Sequence, residues 1–291
     1  MPCLFIMKVN IILNAYFRNP SQKYKAERIR EELEKLGAEV CIVRNTGLVC
    51  IKDGVAQTAI NGKCVFLDKD KAAAYLLEKA GCRLYNSARA IELCDDKMLT
   101  HAALCGSGIL MPATVPAPLT YYSEATIPEE FINSVENLLR YPFVPKQCRG
   151  SFGAEVELLK SREEFLNTEK RLRLTQHFYQ QFIAPGGEDV RCIVIGGRFV
   201  CAMKRKNEKD FRSNIELGGR GERYDADEEL IKMSELAAQT LGLDYCGADI
   251  LIGSDDKKYL SEVNSNAFFA EAERVCGINI AKKFAELIIS E

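Results

Sequence analysis

The first ninety residues alternate apolar runs with segments whose apolar residues recur three or four positions apart. Asn19 and Pro20 mark the start of the first helical segment, and Gly37 marks its end. Strand and helix patterns then alternate in the segments "AEVCIVRN", "DKDKAAAYLLEKAG" and "RLYNS", the last leading to a helix cap at Ser87. This βαβ order predicts a parallel sheet of about four strands.

After Ile91 the pattern changes to helices separated by hairpins. Helices are predicted in "CDDKMLTHAALCGSG", "PEEFINSVENLL", "SREEFLNTEKRLRL" and "DADEELIKMSELAAQTLG", and from near Ile278 to the end. Asp95 is the predicted cap of the first of these helices. We expect an α/β N-terminal domain at residues 1–92, then two α+β lobes at 93–175 and 176–291 that close on a ligand.

Composition narrows the class of protein. The 291 residues are 47% apolar and 27% charged with a net charge of -2, which is typical of a globular protein and gives no field that recruits nucleic acid or an acidic membrane. No apolar run reaches the roughly 18 residues of a membrane helix, and the N-terminus lacks signal-peptide features, so we expect a cytoplasmic protein. The twelve cysteines have no metal-ligand spacing and are expected to be reduced core residues.

Only two histidines are present, so chemistry should depend on carboxylates, lysines and arginines. The hairpin "GADILIGSDDKKYLSEVNSN" brings two acids together: a reversal midway through it pairs Asp249 with Glu262 and Leu251 with Leu260. Asn264 lies two residues after Glu262 and shares its face. Neighbouring carboxylates repel unless a cation lies between them, and oxygen ligands suit Mg²⁺ or Mn²⁺. A solvated hairpin face is the alternative.

A glycine loop follows a lysine in "YPFVPKQCRGSFGAEVELL". Glycines at 150 and 153 allow backbone N–H groups to approach phosphate oxygens, and Lys146 adds a positive charge. A Walker loop has its lysine after the glycines and opens a helix, whereas here the lysine comes first and a strand pattern follows. The order predicts a hairpin flap, and a plain glycine turn is the alternative.

A basic hairpin lies between these two motifs. Its Gly-Gly turn pairs Cys192 with Cys201, which we expect to be reduced rather than disulfide-bonded. Strict alternation puts Arg191 and Lys204 on one face and Arg205 on the other, so a common site requires a bulge or a strand end. Arginines near a carboxylate hairpin suit a phosphate or a substrate carboxylate, and a charged surface edge is the alternative.

Taken in order, these pieces resemble the ATP-grasp superfamily. The chain combines a βαβ start, a "DDK" helix, a lysine before a glycine flap, a "QxFI" strand and a "DxR" strand with "DFRSN", "GADIL" and "EVNSN". Within the superfamily it is similar to the RimK-type ligases, which add amino acids such as glutamate to an acceptor. The resemblance covers nearly the whole chain and implies an ATP-grasp fold, with an N-terminal preATP-grasp domain and two lobes that sandwich the nucleotide.

The resemblance also implies roles for individual residues. The residues implied to contact ATP are Lys97, Lys146, Ser151, Gly153, Gln181, Phe182, Asp189, Arg212, Ser213 and Asn214. The residues implied to hold two Mg²⁺ or Mn²⁺ ions are Asp249, Glu262 and Asn264. Arg191 and Arg205 are implied to handle the acyl phosphate or substrate carboxylate, with Arg205 as the candidate donor to the tetrahedral oxyanion.

The implied reaction is ATP- and magnesium-dependent ligation of a carboxylate to an amine through an acyl phosphate. An amino acid such as glutamate would be added to a peptide, protein or small-molecule acceptor. Members of the family are often dimers or tetramers, and the sequence leaves the oligomeric state of this chain open. Joining two amino acids, a carrier-linked substrate and a non-catalytic ATP sensor remain alternatives. Two departures from the family pattern are Gln181, where glutamate is common, and "VPKQ" around Lys146.

Overall fold

The computed structural model of the protein describes residues 7–16, 18–150, 157–207 and 219–291. Its strands are β1 (Lys8–Leu13), β2 (Glu39–Arg44), β3 (Val49–Lys52), β4 (Val55–Thr58), β5 (Lys63–Leu67), β6 (Arg83–Tyr85), β7 (Thr114–Pro116), β8 (Phe143–Gln147), β9 (His177–Gln181), β10 (Glu188–Ile195), β11 (Arg198–Lys206), β12 (Arg220–Tyr224), β13 (Tyr245–Ile252) and β14 (Lys258–Asn264). Its helices are α1 (Pro20–Lys35), α2 (Lys71–Lys79), α3 (Ala88–Asp95), α4 (Lys97–Leu104), α5 (Glu129–Leu139), α6 (Arg162–Leu172), α7 (Glu228–Leu241), α8 (Ala270–Cys276) and α9 (Ile280–Ser290).

The N-terminal unit contains the predicted parallel sheet, with strand order β2-β1-β5-β6. Asn19 caps α1 by accepting a hydrogen bond from the backbone N–H of Ser21 at 2.7 Å, and Ser87 caps α3, both as predicted. The short hairpin β3–β4 was not predicted from the sequence.

Two antiparallel sheets follow. A three-stranded sheet has the order β7-β9-β8, and a five-stranded sheet has the order β12-β11-β10-β13-β14. Lys146 lies in β8, whereas the acidic and basic hairpins form β13–β14 and β10–β11 of the larger sheet. Both predicted hairpins are therefore neighbours in one sheet, because β10 also pairs with β13.

The predicted cap at Asp95 is wrong by one residue. Asp95 is the last residue of α3, and Asp96 caps α4 by accepting from the backbone N–H groups of Met98 and Leu99. The helix is interrupted at Asp96, whose backbone is extended, so the second short helix has its own cap one residue later than predicted. The consequence is that Lys97 is the first residue of α4.

One apolar cluster joins the N-terminal unit to the large sheet. Val9 and Ile29 of the N-terminal unit pack in the same buried cluster as Ile193, Phe269 and Phe284. A second cluster fills the opposite face of the large sheet against α4 and α7, and a third, rich in aromatic rings, fills the β7-β9-β8 unit. Hydrophobic burial thus holds the N-terminal sheet directly against the strands that carry the charged residues.

Among the described residues, no helix has both the length and the apolar composition needed to cross a bilayer. The described cysteines are all free, in agreement with the expectation of reduced side chains.

Candidate functional site

The acidic hairpin has the predicted pairing at its functional end. Asp249 lies opposite Glu262, and Asn264 lies opposite Gly247. Asp249, Glu262 and Asn264 therefore meet on one face, and the Asn264 amide lies 3.3 Å from Oδ2 of Asp249.

The same hairpin departs from prediction toward its turn. Its register shifts after Asp249, so Leu251 faces Tyr259, and the predicted pairing of Leu251 with Leu260 is wrong. The extra residue is Ser261, which the shift leaves without a partner across the ladder. The bulge therefore lies directly beside the two facing acids.

A second bulge changes the basic hairpin. Cys192 pairs with Ala202, so its predicted pairing with Cys201 is wrong, because the register shifts between Ile193 and Val194. The shift supplies the bulge that a shared arginine site requires.

Beyond this bulge, Arg205 lies opposite Asp189, and Arg191 lies opposite Met203. Asp189 and Arg191 are two residues apart on one strand, so Arg191 and Arg205 share a face. Arg191 also lies opposite Asp249 of the neighbouring strand β13. The two bulges together bring acids and arginines from three strands to one place.

These four side chains form a buried ionic cluster. Arg191 donates to both oxygens of Asp249 at 2.7 Å, and Nη2 of Arg205 lies 2.9 Å from Oδ2 of Asp249. Nε of Arg205 donates to Oδ1 of Asp189 at 2.7 Å, and its Nη2 also contacts Oδ2 of that residue. The Arg205 side chain is 3% exposed and that of Arg191 is 14% exposed, so Arg191 is the more accessible of the two.

Burial alone would raise the pKa of Asp249, but Arg191 and Arg205 outweigh it and hold that pKa below its ordinary value. Burial likewise opposes the charge of Arg205, and the carboxylates of Asp249 and Asp189 raise its pKa above the usual range. Asp249, Arg191 and Arg205 therefore each favour the charged form, and each of these charges depends on its partners.

Lys97 connects the acidic hairpin to the glycine segment. Its ammonium lies 3.4 Å from Oε1 of Glu262 and donates to the carbonyl of Gly150 at 2.9 Å, while its backbone N–H donates to the carbonyl of Cys148. The capped start of α4 thus places a lysine between the smaller sheet and the larger one.

Lys146 reaches the same place from the smaller sheet. Its Nζ donates to Oε1 of Gln180 at 2.7 Å and to Oγ of the bulged residue Ser261 at 3.2 Å. Burial lowers the pKa of Lys146 to about 8, against the opposing influence of Glu262.

Gln180 was not identified from the sequence. It is 1% exposed, and its amide nitrogen lies 3.0 Å from Oγ1 of Thr114 and 3.2 Å from Nε2 of His101. Since the amide N–H donates, His101 must accept and is neutral; burial, followed by the charge of Lys146, lowers its pKa to about 4. The sequence could have indicated Gln180, because it is a polar residue inside the predicted strand, directly before Gln181. Strand alternation turns the two side chains to opposite faces of the sheet.

Gln181 ends β9, and Phe182 follows it. The Gln181 backbone N–H donates to the carbonyl of Ala113 at 2.8 Å, and the backbone N–H of Ala113 lies 3.3 Å from Oε1 of Gln181. The amide that replaces the more common glutamate is thus turned toward the neighbouring chain segment. The predicted nucleotide residues Ser151, Gly153, Arg212, Ser213 and Asn214 lie outside the described residues.

Asp249, Glu262 and Asn264 carry the carboxylate and amide oxygens that a hard divalent cation prefers, at adjacent, facing positions. In this structure both oxygens of Asp249 are bonded to Arg191, and the Asn264 amide nitrogen donates to Oδ2 of Asp249. No group of three or more His, Cys, Asp or Glu side chains with metal-site geometry is found in the part of the chain that the structure describes. The candidate set contains only two acids and an amide, and lysine and arginine groups balance the two acids.

Comparison with known proteins identifies the family of the chain. The RimK-like ATP-grasp domain matches residues 94–288. The chain is 31% identical to an uncharacterised protein of Mycoplasma pneumoniae, over 94% of the chain and 96% of that protein. It is 30% identical to human beta-citrylglutamate synthase B, over 77% of the chain and 57% of the human protein. It is 34% identical to a probable alpha-L-glutamate ligase of Xanthomonas oryzae, over 70% and 68% of the two chains.

Solved structures share the fold over almost the entire length. The ATP-grasp ligase PsnB, complexed with minimal precursor, Mg and ADP, has a TM-score of 0.69 at 18% identity, covering 97% of each chain. D-alanine–D-alanine ligase of Bacillus anthracis, complexed with ATP, has a TM-score of 0.73 at 16% identity, covering 98% of this chain and 96% of that one.

The fold is therefore that of the ATP-grasp ligases, as the sequence predicted. Within this class the chain belongs to the RimK-like ATP-grasp family. It is an ATP-dependent ligase of the kind that forms carbon–nitrogen bonds.

Proposed function

We propose that this protein activates a carboxylate as an acyl phosphate with ATP and Mg²⁺ and transfers it to the amine of an amino acid such as glutamate. Two relatives support the choice of amino acid, since a citrylglutamate synthase and a probable glutamate ligase both carry glutamate in their names. The acceptor would be a peptide, a protein or a small molecule. The likeness to D-alanine–D-alanine ligase keeps the joining of two amino acids as a second candidate.

The single observation that carries the proposal is the convergence of opposite charges at the two bulges. Two acids and an amide lie close to four cationic side chains, supplied by both antiparallel sheets and by the start of α4: Arg191, Arg205, Lys146 and Lys97. A triphosphate and a carboxylate repel each other, so a site that joins them needs concentrated positive charge.

Asp249, Glu262 and Asn264 would hold the divalent cations, which when bound supply charge that lets the γ-phosphate and the carboxylate approach each other. Lys97 and Lys146 would contact the ATP phosphates, as the sequence resemblance implies. Gln181 and Phe182, at the end of β9, would hold the adenine.

The arginines would divide the remaining work. The family resemblance implies that Arg205 donates to the tetrahedral oxyanion and that Asp189 contacts ATP. Both side chains are engaged with each other in the interior, which favours Arg205 as the group that orients Asp249. The greater exposure of Arg191 favours it as the donor that touches the acyl phosphate and the oxyanion.

The N-terminal domain at 1–92 and the lobes at 93–175 and 176–291 remain our proposed division of the chain. β9 falls after residue 175 in sequence but pairs with β7 and β8. The proposed closure of the lobes would exclude water from the acyl phosphate, which water would otherwise hydrolyse.

The test is to incubate the protein with ATP, Mg²⁺, single amino acids and candidate carboxylates, with ADP release and product mass as readouts. Amino-acid-dependent ADP release with a new amide supports the proposal. Release that needs only two copies of one amino acid supports the second candidate. ATP binding without turnover in any mixture of amino acids, peptides and carboxylates would favour a sensor.

A further inference from the structure

Lys25 is a buried cation in an unusual setting. It lies on α1 of the N-terminal unit and is 1% exposed. Its ammonium donates to Oδ1 of Asn266 at 2.9 Å and to the carbonyl of Ala267 at 3.0 Å, and it lies 4.1 Å from the ring centroid of Tyr245. Across the described ranges, no carboxylate lies within ion-pair distance of it.

Asn86 is a second buried polar residue of the N-terminal unit, 3% exposed. Its amide nitrogen donates to the carbonyls of Tyr245 and Ser265, each at 2.8 Å, and its oxygen accepts from the N–H of Tyr245 at 2.9 Å. All of its amide contacts thus go to β13 and to the residue that follows β14.

Apart from those to Tyr245, these contacts fall on three consecutive residues directly after Asn264. Asn86 holds Ser265, and Lys25 holds Asn266 and Ala267. The hydroxyl of Tyr245 also donates to the Ala267 carbonyl at 2.8 Å, so this carbonyl has two buried donors. Residues 265–267 are therefore fixed mainly by side chains from the other end of the sequence.

Residues 265–267 are closely packed against the charged site. A Cβ added to Gly247 would lie 2.7 Å from Cβ of Ala267 and 3.3 Å from Cδ of Arg191. Gly247 is also the residue opposite Asn264. A displacement of residues 265–267 would consequently move Asn264 and the Arg191 side chain, both of which contact Asp249.

We infer that Lys25 and Asn86 are positioning residues of the ligase, which hold residues 265–267 so that Asn264 and Arg191 are presented to Asp249. This inference rests on the proposed function, because it takes Asn264 as a ligand of the divalent cation. A buried cation is costly unless its contacts are needed, and burial together with the nearby charge of Arg191 lowers the pKa of Lys25 well below its usual value. The N-terminal unit thereby takes part in arranging the reaction centre.

The experiment compares Lys25→Met, which keeps the apolar stem, with Lys23→Met, an exposed control on the same helix. Mn²⁺ binding in the presence of ADP is measured from the electron paramagnetic resonance signal of free Mn²⁺. ADP affinity is measured separately without metal, and unfolding is followed thermally. We expect about tenfold weaker Mn²⁺ binding in Lys25→Met, the size seen when residues supporting metal ligands are removed, with unchanged metal-free ADP affinity.

Equal Mn²⁺ binding by folded Lys25→Met and Lys23→Met would overturn the inference. So would a parallel loss of metal-free ADP binding and metal binding, since that is the mark of a purely structural role. If Lys25→Met does not fold, Asn86→Ala is subject to the same two criteria. Failure of the unsubstituted protein to bind Mn²⁺ with ADP would instead overturn the proposed metal site, which separates the two claims.

Discussion

The ammonium of Lys146 lies 2.7 Å from the side-chain oxygen of Gln180, a neutral partner, although two acids are close by. The amide of Gln180 is fixed in turn by Thr114 and His101. Burial lowers the pKa of Lys146, and a neutral amide does not raise it again as a hydrogen-bonded carboxylate would. Gln180 also does not cancel the charge of the protonated ammonium, so that charge is available to a ligand. If Lys146 contacts the ATP phosphates, as we propose, the nucleotide affinity of the protein should depend on pH.

We predict that metal-free ATP affinity falls as pH rises through about 8. The pKa of Lys146 is lowered to about 8, so the group is charged below that pH and neutral above it, and only the charged form attracts phosphate. In Gln180→Glu the new carboxylate raises the pKa of Lys146 and shifts the fall to higher pH. Titration with a fluorescent ATP analogue in chelator, from pH 6 to pH 10, measures both profiles. Identical profiles for the two proteins would contradict the assignment.

Glu262→Ala should abolish ADP formation and leave the protein folded. Glu262 is partly exposed and its described ion pair is to Lys97, so its loss leaves no buried charge without a partner. Asp249→Ala is a poorer test, because it removes the acid that both Arg191 and Arg205 contact. Glu222→Ala, at an exposed position in the same sheet, is the matched control. ADP release at or near the control rate would count against the metal role of Glu262.

The two arginines should respond differently to substitution. Arg191→Met leaves Asp249 with Arg205 and removes the more accessible donor, so we expect about a 100-fold lower kcat or more in a folded protein. Arg205→Met leaves Asp189 and Asp249 in the interior with less compensation, and should lower the free energy of unfolding by about 3 kcal/mol. Steady-state kinetics and urea unfolding of both variants check this; equal losses of stability would refute the division of roles.

Acid should weaken the packing of α1 against α9. Lys35, Asn279 and Arg28 all donate to Glu32, and they lower its pKa from 4.5 to about 2 despite burial. A lowered carboxyl pKa contributes stability above the unfolded value, and that contribution is lost as pH falls from about 4.5 toward 2. Glu32→Gln should therefore lose about 1–3 kcal/mol at pH 7 and much less at pH 3, as measured by urea unfolding at both pH values. A difference that is the same at both pH values would contradict the pairing.

The sequence was most informative where periodicity and caps dominate. The parallel sheet, the cap at Asn19 and the facing of Asp249 with Glu262 follow from alternation and turn placement, which are local properties. Bulges are different, because one inserted residue changes a register without any compositional mark. Ser261 resembles any other strand residue, yet its insertion moves Leu251 away from Leu260.

Lys25 and Asn86 could not be identified from the sequence, because their contacts are to residues distant in the chain. Lys25 lies four residues before Ile29 and so continues the buried stripe of α1, a signal that its charge obscured. Its partners are about 240 positions away, and no local pattern joins them. The same holds for Asn86, which reads as a turn residue until β13 is placed beside it.

The shared apolar cluster of the N-terminal sheet and the large sheet has a consequence for dissecting the protein. The family match begins at residue 94, but a fragment starting there would leave Phe269 and Phe284 facing water, without Val9 and Ile29 to cover them. Such a fragment would aggregate rather than work as a minimal enzyme. Chimeras with related ligases should accordingly exchange both halves of this interface together, since an unmatched graft would lose the complementarity on which both halves depend.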